Sequence, residues 1–241
     1  MTADGWTRAV RERLGAGRLL PLGGPRDGTW ITEDAARTAL RQTVRGVAGV
    51  RLGALRISVA DPEGVYEPVV PAPPSALPPG PLRVSAECAA SGSEPLPTAA
   101  ARLRAALATA AAERLGLVVA EVDLRVTELF APARPPVVTE PERSARTAVA
   151  ATDGDEGRAA GAALAVPGVT GLTELLGRAV RIDDRPEATD AATALPRRHV
   201  RVEVAVGADR RALDVAREVR AAVTRALPDG PSVAVLVTAA G

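Results

Sequence analysis

Two rhythms of apolar and polar residues run along this chain, one of period two and one near 3.6. In LRVSAEC, residues 82–88, the apolar positions Leu82, Val84, Ala86 and Cys88 share one side, which predicts a half-buried strand. HVRVEVAV repeats the rhythm with Val200, Val202, Val204 and Val206, and puts Arg201 on the opposite face, where a substitution is expected to cost less than about 1 kcal/mol. ALRISV turns Leu55, Ile57 and Val59 inward, and VVAEVDLRVTEL places Val122, Leu124 and Val126 together. GRAVRI, with Val180 and Ile182, and SVAVLVT complete the predicted strands.

The helical rhythm comes between them. Ala36, Leu40, Val44 and Val47 recur on one face of ITEDAARTALRQTVRG. Thr32 is its candidate cap, Glu33 and Asp34 suit its N-terminal end, and Gly49 is its stop. AAARLRAALATAAAERLG carries Leu103, Leu107 and Leu115, with Thr98 as candidate cap and Gly116 as stop. Val215, Val219, Val223 and Leu227 step by four along a later helix that Asp209 could cap and Gly230 could end. YEPVVPAPPSALPPGP breaks both rhythms. Its prolines cannot occupy a central strand, so residues 61–81 are expected to form a long exposed loop.

The elements fall into two copies. An alanine-rich run closes on VAGV at Val47–Val50 and again on VPGV at Val166–Val169. LRVSAEC lies on VRVEVAV, so that Arg83 matches Arg201 and Cys88 matches Val206. RAAL at 104–107 lies on RAAV at 220–223. Each half reads helix–strand–strand–helix–strand. The expectation is an α+β fold of two repeated units, each a small three-stranded sheet with helices on one face. Residues 1–29 would be an N-terminal extension with a short helix, 30–130 the first domain, 131–150 a linker and 151–241 the second domain.

LGLVVAEVDLRVTEL, through Gly116, Val119, Val122, Asp123, Leu124 and Val126, together with the VAGV and VPGV turns, resembles the alkaline shock protein family of the bacterial envelope stress response. The likeness runs over residues 30–130 and 150–241, as a tandem duplication. The second copy departs from it at LPDGPSVAVLV, which has no counterpart of Asp123. The resemblance implies a non-enzymatic scaffolding protein that works by protein–protein contact near the cytoplasmic membrane face, often through a membrane-anchored partner. It leaves self-association open and brings no catalytic residue. The alternative is a regulatory or RNA-binding module.

Composition narrows the chemistry. Formal net charge is +1 over 241 residues, which favours neither nucleic acid nor an acidic tail. All 30 basic residues are Arg and Asn is absent, as a GC-rich genome would produce. One Cys excludes an intrachain disulfide and fits a cytoplasmic setting. His199 is the only His, so no site in one chain has two histidines; a strand-start role is expected. Cys88 is read as a buried, inert thiol. Asp153, Asp155 and Glu156 lack the remaining ligands of a calcium loop and read as a helix start or linker. Asp183 and Asp184 read as a solvated loop. LGAGRLLPLGGPRDG follows no strand and lacks the dinucleotide fingerprint, and without Lys there is no P-loop. RNA-binding loops and aromatic platforms are also missing. No cofactor, metal ligand or catalytic residue is therefore assigned.

GWTRAVRERLGAGR can form a short helix with Trp6, Val10 and Leu14 on one side and Arg8, Arg11 and Arg13 around the rest. Such a helix either meets an anionic membrane, weakly and reversibly, or packs on the first domain. Trp6, Arg8, Arg11 and Arg13 are the candidate membrane or partner contacts.

Overall fold

The computed structural model describes residues 17–131, 154–185 and 197–241. The N-terminal candidates Trp6, Arg8, Arg11 and Arg13, residues 132–150 of the expected linker, and Asp153 lie outside them.

A hairpin opens the described chain: β1 (Leu19–Pro21) pairs antiparallel with β2 (Thr29–Thr32). The chain then continues through α1 (Glu33–Val44), β3 (Val50–Val59), β4 (Leu82–Ser91) and α2 (Leu96–Thr109). A π-helical turn at Ala110–Leu115 extends α2, and β5 (Val119–Phe130) follows. Later come α3 (Asp155–Leu164), β6 (Val169–Leu172), β7 (Val180–Arg185), β8 (Arg197–Val206), α4 (Ala212–Ala226) and β9 (Ser232–Ala240).

The fold is α+β, with two mixed sheets. One has three strands in the order β3-β4-β5, with β3 antiparallel and β5 parallel to β4. The other has six, in the order β1-β2-β9-β8-β6, with β7 also on β8. Within it, β7 is antiparallel and β9 parallel to β8. Both halves therefore share strand order and sense. They differ in what is added: the second sheet exceeds the expected three strands because β2 pairs parallel with the free side of β9, and because β6 shares the far edge of β8 with β7.

Local chemistry explains the helix ends. The Thr32 hydroxyl accepts from the Ala35 amide at 3.2 Å, as the cap expected there. Thr98 is not a cap, because α2 starts at Leu96 after Pro95 and encloses it. Asp209 does not cap α4 either; Arg211 holds that position without a side-chain bond. Gly116, at φ 90°, stops the π-helical turn.

Every apolar face assigned by alternation on β4 and β8 is buried, from Leu82 to Cys88 and from Val200 to Val206. These residues join α1, α2, α3 and α4 in one continuous core that runs through both halves. Helix α1 touches both β3 and β9, so it packs against both sheets. Arg211 Nε donates to the Ala112 carbonyl at 2.9 Å, a further tie between the halves.

The proline-rich segment corrects its expectation. Val70 is 2% exposed and packs with Leu19, Trp30, Ala234 and Leu236 on the side of the six-stranded sheet away from the main core. Val69 N donates to Pro25 O at 3.0 Å and Leu77 N to Leu19 O at 2.8 Å. Residues 61–81 thus include a strap tied across the sheet by its few backbone donors.

Candidate functional site

Two places concentrate polar chemistry or unused bonding capacity. The first is the strapped face of β8, where His199, Arg201 and Glu203 stand in a row. Alternation turns these positions away from the main core, but the β6–β7 loop reaches Glu203, and the strap packs beside the row on Ala234 and Leu236, the β9 neighbours of Arg201 and Glu203. The Arg201 side chain is only 11% exposed and Glu203 is fully buried, which overturns the expectation of a tolerant position at Arg201. Both carboxylate oxygens of Glu203 accept from the Leu176 amide at 3.1 Å, and Arg201 Nε lies 3.6 Å away. Burial nevertheless dominates and pushes the Glu203 carboxyl up to about 7. His199 Nδ1 is 2.9 Å from the Ser232 hydroxyl across the β8–β9 ladder. Asp183 and Asp184 are not in a loop as expected; they belong to β7, and Arg181 Nε reaches both Asp183 oxygens at 2.9 Å. The row ties β8 to the β6–β7 loop through Leu176 and to β9 through Ser232.

Cys88 is 2% exposed on the core face of β4, and burial raises its thiol. Asp155 begins α3 and pairs with Arg158 and, at 2.6 Å, with Arg198. Among the described residues no three His, Cys, Asp or Glu stand together as metal ligands.

The second place is the three-stranded sheet. Side chains cap its β3 edge at two places, Ile57 and Gly53. Arg18 Nη2 donates to the Ile57 carbonyl at 2.6 Å, the Ile57 amide reaches Glu33 at 3.4 Å, and Arg41 Nη2 donates to Gly53 O at 2.9 Å. An open trough of about 850 Å³ lies beside these contacts, lined by Arg18, Glu33, Arg37, Leu55 and Ala86 and ending at Leu124. Its charges of both signs match no single ionic ligand.

The β5 edge is different. β5 is 12 residues long and, among the described residues, pairs only with β4. Along it Val126 is 37% and Leu129 62% exposed. Its outer face carries charges in local pairs: Arg83 holds Glu121 at 2.6 Å and Asp123 at 3.5 Å, while Arg51 stacks on Phe130 and approaches Glu128 at 3.7 Å. Arg104 guards the edge: its Nε donates to the Val122 carbonyl at 3.1 Å. On the matching strand of the second half, β9, this edge carries β2. Alternation marked Val122, Leu124 and Val126 as one face of a strand but did not show that, among the described residues, the strand is terminal in its sheet.

Comparison with protein-family models, with curated proteins and with solved structures finds no match.

Proposed function

We propose that the protein is a non-enzymatic interaction or scaffolding protein of the envelope-stress type, acting near the cytoplasmic membrane face. The resemblance of residues 116–126 and of the two Val-x-Gly-Val turns to the alkaline shock family motivates the reading. One observation carries it at the level of mechanism: among the described residues, β5 has a long open edge where its counterpart β9 already holds another strand. An unpaired strand edge is a template for a further polypeptide, because its free N–H and C=O groups gain partners when a strand is added. The charged outer face supports this reading over RNA binding. Its guanidinium groups at Arg83 and Arg51 are engaged by carboxylates, so a phosphate backbone would have to displace them.

Photocrosslinking in intact cells tests the proposal. A crosslinking residue replaces Leu129 beside the open edge, or Val69 on the exposed strap as a control. The Leu129 position should give polypeptide adducts that sediment with membranes. Val126→Pro should abolish them, since proline removes a donor from the edge. Adducts only from Val69, or Leu129 adducts indifferent to Val126→Pro, would show that the edge is not the contact.

A further inference from the structure

Backbone phase, charge order and an internal precedent along β5 converge on one occupant for its edge. We infer that β5 pairs antiparallel with β5 of a second copy of this chain, about a two-fold axis at Leu124. The inference rests on the interaction reading above and names the partner.

The phase comes first. In a strand, the N–H and C=O of one residue point to the same side, and successive residues alternate. Val118 O accepts from Leu82 N at 2.8 Å, so Val118 turns toward β4. The β4–β5 register then skips Ala120, and skips Thr127 further on. Each extra residue reverses the parity. Between the two bulges the odd positions Glu121, Asp123 and Arg125 turn toward β4. Beyond the second bulge the even positions do so again, and Phe130 O indeed accepts from Gly92 N at 3.2 Å. Val122, Leu124 and Val126 therefore direct their backbone groups outward. The bond from Arg104 to Val122 O agrees with this.

An antiparallel partner must set outward-facing residues opposite outward-facing residues. Centring the pair on Leu124 does so: Leu124 meets its own copy, and Val122 meets Val126 of the second copy, twice. The intervening positions form the non-hydrogen-bonded pairs, whose side chains lie closer. There Asp123 stands opposite Arg125 of the second copy, and symmetry repeats the pair. Apolar meets apolar on the core side, and opposite charges meet on the outer side. The contact would join two three-stranded sheets into one. The β2–β9 pairing in the other half supplies the precedent that a strand fits on this side of the fold.

The register makes an unusual demand that a mixing experiment can read. Asp123→Arg puts two arginines opposite each other at both symmetric pairs, and Arg125→Asp does the same with two aspartates. Each substitution alone should weaken the dimer roughly tenfold. An equimolar mixture of the two variants should restore association, because every cross-strand pair is then Arg against Asp. Sedimentation equilibrium of the full chain across a concentration series measures this, and thermal melts check that each variant is folded. Restoration in the mixture, together with slower amide exchange at Val122, Leu124 and Val126 as concentration rises, supports the inference. A wild-type dimer indifferent to either substitution, or a mixture no stronger than its components, overturns it. A chain that stays monomeric at every concentration also overturns it. If Leu129 then crosslinks in cells to a different polypeptide, the interaction reading survives without self-pairing; if it crosslinks to nothing, both fall.

Discussion

Burial at Glu203 sets a pH dependence for the whole fold. The carboxyl titrates near its ordinary 4.5 in the unfolded chain and near 7 in the folded one. Below the lower value it is protonated in both states. Between the two, the folded chain keeps a proton that the unfolded chain releases, so this contribution to stability falls as pH rises. Above the upper value the loss is complete, on the order of 3 kcal/mol. Glu203→Gln should remove that component, and the gap between urea midpoints at about pH 5 and about pH 8 should narrow in the variant. An unchanged gap would mean that the carboxylate is already compensated by Leu176 and Arg201. One position further along β8, Val204 is fully buried in the main core. Val204→Asp should cost roughly 4 kcal/mol or more, or block folding, since no partner for a carboxylate lies on that face. Chemical denaturation of the variant beside wild type measures the loss.

Among the elements, the strap and the β5 edge depend most on single side chains. Val70 is the buried anchor of residues 61–81 against Trp30 and Leu236. Val70→Ala should cost about 1 to 2 kcal/mol and should speed amide exchange at Val69 and Leu77, the two strap donors bonded to Pro25 and Leu19. A local loosening without such exchange would argue that the prolines alone hold the strap. On β5, Arg104 occupies the Val122 carbonyl that an added strand would need. Side chains of this kind blunt an edge. Arg104→Ala should therefore strengthen association through β5, seen as a dimer fraction that rises at fixed concentration. A weaker dimer would mean that Arg104 itself contributes to the contact.

At the scale of the molecule, the halves share strand order but not independence. A single core runs through both, and β2 crosses from the N-terminal segment to pair with β9. The β1–β2 turn is tied to α4: burial pushes the Asp27 carboxyl up, yet Arg217, bonded at 2.8 and 3.0 Å, and the Gly24 amide outweigh it and leave the group below the usual range. Calorimetry should accordingly show one cooperative transition. Gly116 tests the junction most directly. It holds φ 90° where the first half meets Leu213 of the second, and a Cβ there would collide with the Leu213 side chain. Gly116→Ala should lower stability by roughly 2 kcal/mol or more, from backbone strain and overpacking together. Two separate transitions in the calorimeter would show that the halves unfold as units despite these ties.

Local order followed from the sequence wherever one face of an element meets a core. Alternation alone placed Leu82 to Cys88 and Val200 to Val206 inside, and the four-residue step did the same for Val215, Val219 and Val223, because burial of one face needs only the period of the element. The α+β class was legible for the same reason. Several assignments came only from tertiary structure. The pattern of LRVSAEC and of VRVEVAV is the same, but among the described residues one sheet ends at β5 while the other continues through β9 to β2 and β1. Neither LLP nor TWIT is long enough to announce a strand by period, and parallel pairing with β9 requires contacts across some 200 residues of chain. The same remoteness hid the cover over Arg201 and Glu203. Whether the second face of a strand meets water or protein depends on what other segments reach it; here the β6–β7 loop reaches Glu203, and a proline-rich strap more than 120 residues earlier in the chain packs beside it on Ala234 and Leu236. Period is a property of neighbouring residues; exposure and edge position are properties of distant ones.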